Sequence, residues 1–216
     1  MGSLPAFDRY IGVDYSGAEA PQSILKGLRV YMADRNGPPT EVPPPPSPRK
    51  YWTRREIAEW LVERLSEKQP TLVGIDHGFS LPLQYFEKYR LPHDWPAFLD
   101  DFHGHWPTDE DIYVDFVRDG LFGDAAARCG SSRWRRITEV RAGAKSVFHF
   151  DVPGSVAKST HAGLPWLRYI RLDRTHCALL AFRWLGCPAG TVSSCRSISI
   201  ALEARLCAGE SQRRPT

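Results

Sequence analysis

Two aspartates each stand at the end of a short apolar run and are followed at once by small residues. Asp14 lies in YIGVDYSGAE, residues 10–19, and Asp76 lies in TLVGIDHGFSLP, residues 71–82. Such runs are typical of strands buried on both faces, and open α/β sheets place their sites where these strands end. If the two strands are neighbours, the carboxylates lie together and could hold Mg²⁺ or Mn²⁺ with water and substrate phosphates.

Other polar side chains near these aspartates are candidates for catalysis. Glu19, in the turn after the first aspartate, is a candidate third carboxylate. So is Glu56, although a helix-capping role explains it as well. His77 could act as a general acid or base, although an alternating strand would direct it away from the second aspartate. Ser16 lies in the same turn as Glu19 and is a candidate substrate contact.

A second polar cluster lies in GSVAKSTHAG, residues 154–163. Lys158, Ser159 and His161 stand near the predicted start of a helix, where an anion could bind, and Lys145 could contact the same phosphate. The spacing is not that of a P-loop, which has four residues between its first glycine and its Gly-Lys pair. A capped helix with solvated polar residues explains the segment equally well.

The elements that must position these residues are predicted from periodicity and turn signals. Strands over 9–15 and 24–32 precede a proline-rich connector, 43–52, which cannot join a central strand or a helix. Thr53 and Glu56 form a capping box before a helix that ends ahead of Pro70, and the strand ending in Asp76 follows. The later predicted elements are helices over 82–89, 95–102 and 108–117 (capped by Thr108), a strand over 146–150, and a helix over 155–171 interrupted by Gly163 and Pro165.

The composition is that of a globular chain of one domain. Hydrophobic residues make up 42% and charged residues 25% of the 216 residues. No run approaches the roughly 20 apolar residues of a membrane span, and the N-terminus lacks the pattern of a secretory signal, so we expect a cytoplasmic protein without a membrane partner. The net charge of +3 gives no support for nucleic acid, because the residues up to Thr175 are neutral overall.

The two aspartate motifs, together with AKSVFHFDVPGSVAKSTHAGLPWLRYIR over 144–171, resemble the ribonuclease H-like superfamily. Within it they are most similar to the predicted-nuclease family named domain of unknown function 429, and the resemblance extends to about Thr175. It implies a mixed sheet flanked by helices and metal-assisted phosphodiester hydrolysis. In that family pattern Asp14 and Asp76 end the first and fourth strands and hold one or two Mg²⁺ or Mn²⁺ ions.

The chain changes character after Thr175. Residues 176–216 contain four of the five cysteines and neither Asp nor Lys. Residues 176–203, back-translated and read one base later, permit a sequence that resembles the closing strands of the same family. It includes an Ala-Glu-Val-Tyr-Pro element, whose glutamate the resemblance places in the active site. We interpret residues 176–216 as a frameshifted tail, which would leave the strand edge beside Asp14 unpaired and weaken the metal site.

The sequence therefore predicts a metal-dependent nuclease or related phosphoryl-transfer hydrolase, inactive if the frameshift removes the closing glutamate. One alternative is a non-catalytic nucleotide- or nucleic-acid-binding module of the same fold. Another is an actin-like nucleotide-binding protein, because actin-like ATPases also have strands that end in Asp and Gly, although this chain is short for their two-lobed form. Nucleic acid or a nucleotide is the partner expected in each case.

Overall fold

A computed structural model describes residues 7–35, 37–46, 50–173, 178–179 and 200–205. In these residues the strands are β1 (Arg9–Asp14), β2 (Arg29–Asp34), β3 (Thr40–Val42), β4 (Thr71–Ile75), β5 (Ala178–Leu179) and β6 (Ile200–Arg205). The helices are α1 (Arg54–Ser66), α2 (Leu83–Tyr89), α3 (Trp95–His105), α4 (Val114–Arg118), α5 (Ile137–Arg141) and α6 (Ala157–Leu172), with a 3₁₀ turn over Ala125–Arg128. The mixed α/β class is as predicted.

The strands form one mixed sheet in the order β3-β2-β1-β4-β6-β5. β1 pairs antiparallel with β2 and parallel with β4, where Val13 stands opposite Ile75. One step further, the backbone N–H of Asp76 donates to the carbonyl oxygen of Val13 at 2.9 Å. The strands that end in Asp14 and lead into Asp76 are therefore direct neighbours. Their C-terminal ends lie together, at the carboxyl ends of the strands, and this part of the sheet is called the sheet edge from here on.

The expectation of an unpaired strand edge beside Asp14 is wrong. β1 has a partner on each side, and β6 pairs antiparallel with the other edge of β4. β5 pairs in turn with β6. The other residues of the predicted frameshifted tail, 176–177, 180–199 and 206–216, lie outside the described residues.

Burial of β1 on both faces, which the sequence predicted, is also wrong. Ile11 and Val13 are buried, whereas Tyr10, Gly12 and Asp14 are exposed. Helices α1 and α6 contact each other and pack on the same side of the sheet as the buried residues. The run looks continuously apolar in the sequence because its exposed positions hold a tyrosine and a glycine before the aspartate.

The predicted capping box begins α1. Thr53 Oγ1 accepts a hydrogen bond from the N–H of Glu56 at 3.1 Å, and Glu56 Oε2 accepts one from the N–H of Thr53 at 2.9 Å. These two bonds satisfy two backbone donors that no helical carbonyl can reach. The predictions for α1, α2 and α3 are confirmed, although α3 continues to His105.

Several predictions of local structure are wrong. β2 begins at Arg29 rather than at residue 24, and the short strand β3 was not expected. Residues 146–150 form turns rather than a strand. The helix predicted over 108–117 is reduced to α4, which begins only at Val114, so Thr108 is not its cap.

The expected interruption of α6 is absent. The helix runs unbroken through Gly163 and Pro165, and ten of its residues are buried. Pro165 has no N–H, which deprives the carbonyl of His161 of its usual helical donor. The Thr108 hydroxyl donates to that carbonyl at 2.7 Å. A hydroxyl from the loop between α3 and α4 therefore replaces the helical hydrogen bond that the proline removes.

None of the helices in the described part of the chain is long and apolar enough to cross a membrane.

Candidate active site

Asp14 and Asp76 lie at one edge of the sheet, and both are exposed to solvent. Asp14 is the last residue of β1, and Asp76 follows the last residue of its parallel neighbour β4. Neighbouring protein atoms partly desolvate the Asp76 carboxyl and raise its pKa, and the negative charge of Asp14 raises that pKa further. The two carboxylates that the sequence singled out therefore interact electrostatically in the folded protein.

A buried arginine holds the turn after β1. Arg54, the first residue of α1, is 1% exposed. Its Nη1 donates to the carbonyls of Ser16 and Ala18 at 3.2 and 2.6 Å, and its Nη2 donates to that of Glu19 at 2.7 Å. Glu19 adopts a left-handed backbone conformation, with φ of 55°. Arg54 thus fixes the backbone that directly follows Asp14.

Helical spacing in the sequence indicates that Arg54 is buried, a pattern that our sequence analysis did not include. Its position is in register with the apolar stripe of α1, whose buried members are Ile57, Ala58, Leu61 and Leu65. Helical spacing therefore places Arg54 on the buried face. A charged residue at such a position needs a polar partner inside the protein, and here the partners are backbone carbonyls.

The turn after β4 rests on the first turn of α6. The N–H of Gly78 donates to Thr160 Oγ1 at 2.9 Å. A Cβ at position 78 would lie 2.9 Å from that hydroxyl and 2.5 Å from Arg136 Nη1. Arg136 Nη1 also donates to the carbonyl of Ser80 at 3.3 Å. Side chains from α6 and from the segment before α5 therefore hold the backbone that follows Asp76.

The first turn of α6 also supports the turn after β1. A Cβ on Gly17 would overlap the backbone of Lys158 and Ser159. Only glycine allows two backbones to approach so closely. Both turns thus rest on the same helical turn, which fixes the relative position of the strand ends that carry Asp14 and Asp76.

His77 lies in the core, whereas the neighbouring carboxylate of Asp76 is exposed. The His77 ring packs against Tyr15, with ring centroids 4.7 Å apart, and against Phe79, with centroids 5.2 Å apart. Residue 77 as a whole is 6% exposed. Its Nδ1 donates to the carbonyl of Gly78 at 2.8 Å. Burial lowers the pKa of His77 to about 4. This environment gives His77 a packing role and does not support its prediction as a general acid or base.

The candidate third carboxylates are engaged elsewhere. The Glu19 carboxylate accepts a hydrogen bond from the Tyr113 hydroxyl, which raises the pKa of Tyr113. The Glu56 carboxylate closes the capping box of α1. Within the described residues, no group of three or more His, Cys, Asp and Glu side chains is arranged to hold a metal ion. The described site consists of the two carboxylates alone.

Three residues predicted to bind an anion near α6 already have partners. Lys158 Nζ pairs with Asp115 Oδ2 at 2.7 Å. The Ser159 hydroxyl donates to a backbone carbonyl of the preceding turn at 3.1 Å. Lys145 Nζ donates to the carbonyl of Pro153. These contacts give the polar side chains structural roles within the protein, but the expected cap is not present, because α6 begins after Val156 without a side-chain cap among the described residues.

His161 is fully buried among aromatic rings, an environment that does not support its prediction as a substrate contact. Its ring lies 4.5 Å from that of Trp106 and 4.6 Å from that of Phe150, measured between centroids. Its Nδ1 donates to the carbonyl of Ala157 at 2.9 Å, while Nε2 is buried and has no partner within the part of the chain that the structure describes. Burial lowers the pKa of His161 to about 4. The apolar environment therefore keeps the ring neutral and out of reach of a ligand at the sheet edge.

Beneath the two turns, a small cavity of about 10 Å³ lies between the sheet and helices α1 and α6. Tyr15, Arg54, His77 and Trp166 contribute to its lining. Since one water needs about 10–15 Å³, this cavity is too small for a substrate. Ser16, above it, is half-buried, and its hydroxyl accepts from the N–H of Ala18 at 3.3 Å. Asp14 and Asp76, by contrast, are exposed at the sheet edge, where a substrate can reach them.

No family model, no curated protein and no solved structure matches this chain. Its fold and site define a mixed α/β protein with two interacting carboxylates at the ends of adjacent parallel strands.

Proposed function

We propose that this protein is a metal-dependent nuclease or phosphoryl-transfer hydrolase of the ribonuclease H-like type, with Asp14 and Asp76 at its active site. The observation that carries the proposal is the exposed carboxylate pair, in which the charge of Asp14 raises the pKa of Asp76. Two close negative charges repel each other, and a divalent cation relieves that repulsion.

The order of the elements supports the ribonuclease H-like part of the proposal. β1, β2 and β3 are consecutive antiparallel strands, and α1 then leads to β4, which pairs parallel with β1. The family that the sequence motifs resemble has its carboxylates at the ends of the first and fourth strands. Asp14 and Asp76 occupy the corresponding places in the chain order.

The pair suits Mg²⁺ or Mn²⁺, since Mg²⁺ sites commonly use one or two carboxylates and complete the shell with water and substrate phosphates. When bound, such an ion would activate water and stabilise the leaving oxygen. Asp14 and Asp76 would hold it. Arg54 would keep the turn after Asp14 in place, and Thr160 would do the same for the turn after Asp76.

The test is cleavage of labelled single- and double-stranded DNA and RNA with Mg²⁺ or Mn²⁺. We expect Asp14→Asn and Asp76→Asn each to lower the rate by about 100-fold or more, because a metal ion contributes several kcal/mol to the reaction. Asp8→Asn is the matched control, since Asp8 precedes β1 at the opposite edge and is 44% exposed. Unchanged cleavage by Asp14→Asn would exclude the site.

The proposed frameshift requires its own test. A chain with the restored frame after residue 175 regains the Ala-Glu-Val-Tyr-Pro element, whose glutamate would be the third carboxylate. We expect it to cleave at least about tenfold faster than the present chain, since metal sites lose affinity when a ligand is missing. An intact, expressed frame in the resequenced gene would contradict the frameshift. Absence of cleavage by the restored chain would favour the non-catalytic binding module. Such a module agrees with a site that has only two carboxylates in the described residues.

A further inference from the structure

Charge is divided unevenly along the described chain. Residues 128–145 contain six Lys and Arg and a single acidic residue, Glu139. Residues 100–119 contain seven Asp and Glu and a single Lys or Arg, Arg118. The two segments nearly offset each other, so the overall neutrality of the chain before Thr175 hides one strongly basic and one strongly acidic segment.

The basic segment lies against the turn after β4. Arg136 Nη1 donates to the carbonyl of Ser80 at 3.3 Å, and Ser80 is in the turn that follows Asp76. Towards its other end, the carbonyl of Cys129 accepts from Lys88 Nζ at 3.5 Å. The segment therefore runs from the end of α2 to the edge of the sheet that carries the carboxylates.

Some cations of this segment are neutralised within the protein. Arg128 pairs with Asp101 at 2.7 Å, and Arg136 pairs with the buried Glu139 at 2.8 Å. Others are exposed and form no ion pair with any described residue. Lys145 among them donates to the carbonyl of Pro153, and the remaining three, Arg133, Arg135 and Arg141, are together called the basic strip.

We propose that the basic strip binds the phosphate backbone of nucleic acid beside Asp76. The proposal rests on the proposed function for the identity of the ligand, and it adds the surface that holds the substrate. Arginine presents a planar fork of donors that matches phosphate, and exposed arginines without acidic partners are free to use it. Contacts to phosphate position a nucleic acid without reading its bases, so binding should not depend on base sequence.

The binding test leaves out divalent cations, so that cleavage does not enter the measurement. Fluorescence anisotropy of labelled single-stranded and duplex oligonucleotides is followed over a series of salt concentrations. Each neutralised phosphate contributes about 0.7 for single strands, or 0.9 for duplex DNA, to the slope of log K against log salt. The variant Arg133→Gln/Arg135→Gln should therefore reduce the slope by about 1.4 or 1.8.

The matched control is Arg35→Gln/Lys68→Gln, which removes the same formal charge from the opposite end of the sheet. Arg35 follows β2, and Lys68 precedes β4, near the residues that pair with the start of β1. Unlike the arginines of the strip, Arg35 has an ion-pair partner, Asp8 at 2.9 Å, so the control matches the strip variant in the charge removed and not in pairing. We expect this control to retain the slope of the unmodified chain. Equal slope changes in the two double variants, or no nucleic-acid binding by the unmodified chain, would overturn the proposal.

Two further outcomes separate this proposal from others. Tighter binding of poly-glutamate than of either oligonucleotide would assign the basic strip to an acidic protein partner and overturn the nucleic-acid proposal. A second outcome is that binding depends on the basic strip but no cleavage follows when Mg²⁺ or Mn²⁺ is added. That result would support the nucleic-acid-binding role of the strip and contradict the proposed hydrolysis.

Discussion

The turns after β1 and β4 both place an exposed aspartate at the sheet edge, but they are held in different ways. After β1, the charged side chain of Arg54 binds three backbone carbonyls from below. After β4, the neutral hydroxyl of Thr160 accepts from the backbone, and the ring of His77 packs in the core. The first turn receives three hydrogen bonds from one buried arginine, whereas the second receives a single bond from Arg136, at 3.3 Å, and the charge of Arg136 is paired with Glu139.

This difference has an energetic consequence. The Arg54 guanidinium is buried, and desolvation lowers its pKa. Its Nε has no hydrogen-bond partner among the described residues, so the contacts to the turn after β1 are the ones that offset its burial. Arg136, the arginine beside the turn after β4, has the carboxylate of Glu139 as a partner and depends less on that turn. Loss of a single side chain should therefore damage the Asp14 turn more than the Asp76 turn.

The largest effect is expected for Arg54→Met, which keeps much of the side-chain volume but removes every donor. Three carbonyls in partly buried hydrogen bonds would lose a donor, and an unsatisfied buried group costs about 1–3 kcal/mol. We expect the free energy of unfolding, measured by urea denaturation, to fall by at least about 3 kcal/mol. Arg55→Met is the control, because Arg55 is 42% exposed and should contribute less than about 1 kcal/mol. Equal losses would contradict the special role of Arg54.

The two glycines give a direct comparison of the turns. A Cβ on Gly17 meets the backbone of Lys158, which cannot move without distorting α6, whereas a Cβ on Gly78 meets side-chain atoms of Arg136 and Thr160. We expect Gly17→Ala to destabilise the protein by about 3 kcal/mol and Gly78→Ala by about 1 kcal/mol. Thermal and urea unfolding of both variants measure the difference. A larger loss for Gly78→Ala would reverse the proposed contrast.

The shared support, α6, should make stability depend on pH through His161. Its folded pKa of about 4 lies below the ordinary 6.5, so the unfolded chain binds this proton more readily. The free energy of unfolding therefore has its full value above pH 6.5. It decreases as the pH falls towards 4, by up to about 1.4 kcal/mol per pH unit. His161→Phe keeps an aromatic ring and should lose less stability between about pH 7 and about pH 5. Identical pH dependence of the two proteins would contradict this account.

Much of the candidate site could be predicted from local sequence. Asp14 and Asp76 were recognisable because a short apolar run followed by small residues marks a strand and its end. The capping box of α1 was recognisable because both of its bonds join residues three apart. The carboxylate pair and the start of α1 follow from such short-range patterns.

Other features could not be predicted because they depend on residues far apart in the chain. Pro165 ordinarily signals a break, but the hydroxyl of Thr108 satisfies the carbonyl that the proline leaves free. The polar cluster around Lys158 and His161 resembled an anion site, but one side chain has an ion pair and the other lies among aromatic rings. Local sequence does not reveal whether a polar group finds its partner in a distant loop.

The sequence by itself determined the mixed α/β class, the strands that end at Asp14 and Asp76, and the cap of α1, since periodicity, turns and caps act over a few residues. Only the tertiary structure decided that β1 and β4 are parallel neighbours and that Arg54 supports the turn after Asp14. It also separated the exposed Asp76 from the buried His77 beside it. The physical reason is that burial and hydrogen bonding across the sheet and α6 depend on contacts between residues distant in sequence, which outweigh local preference.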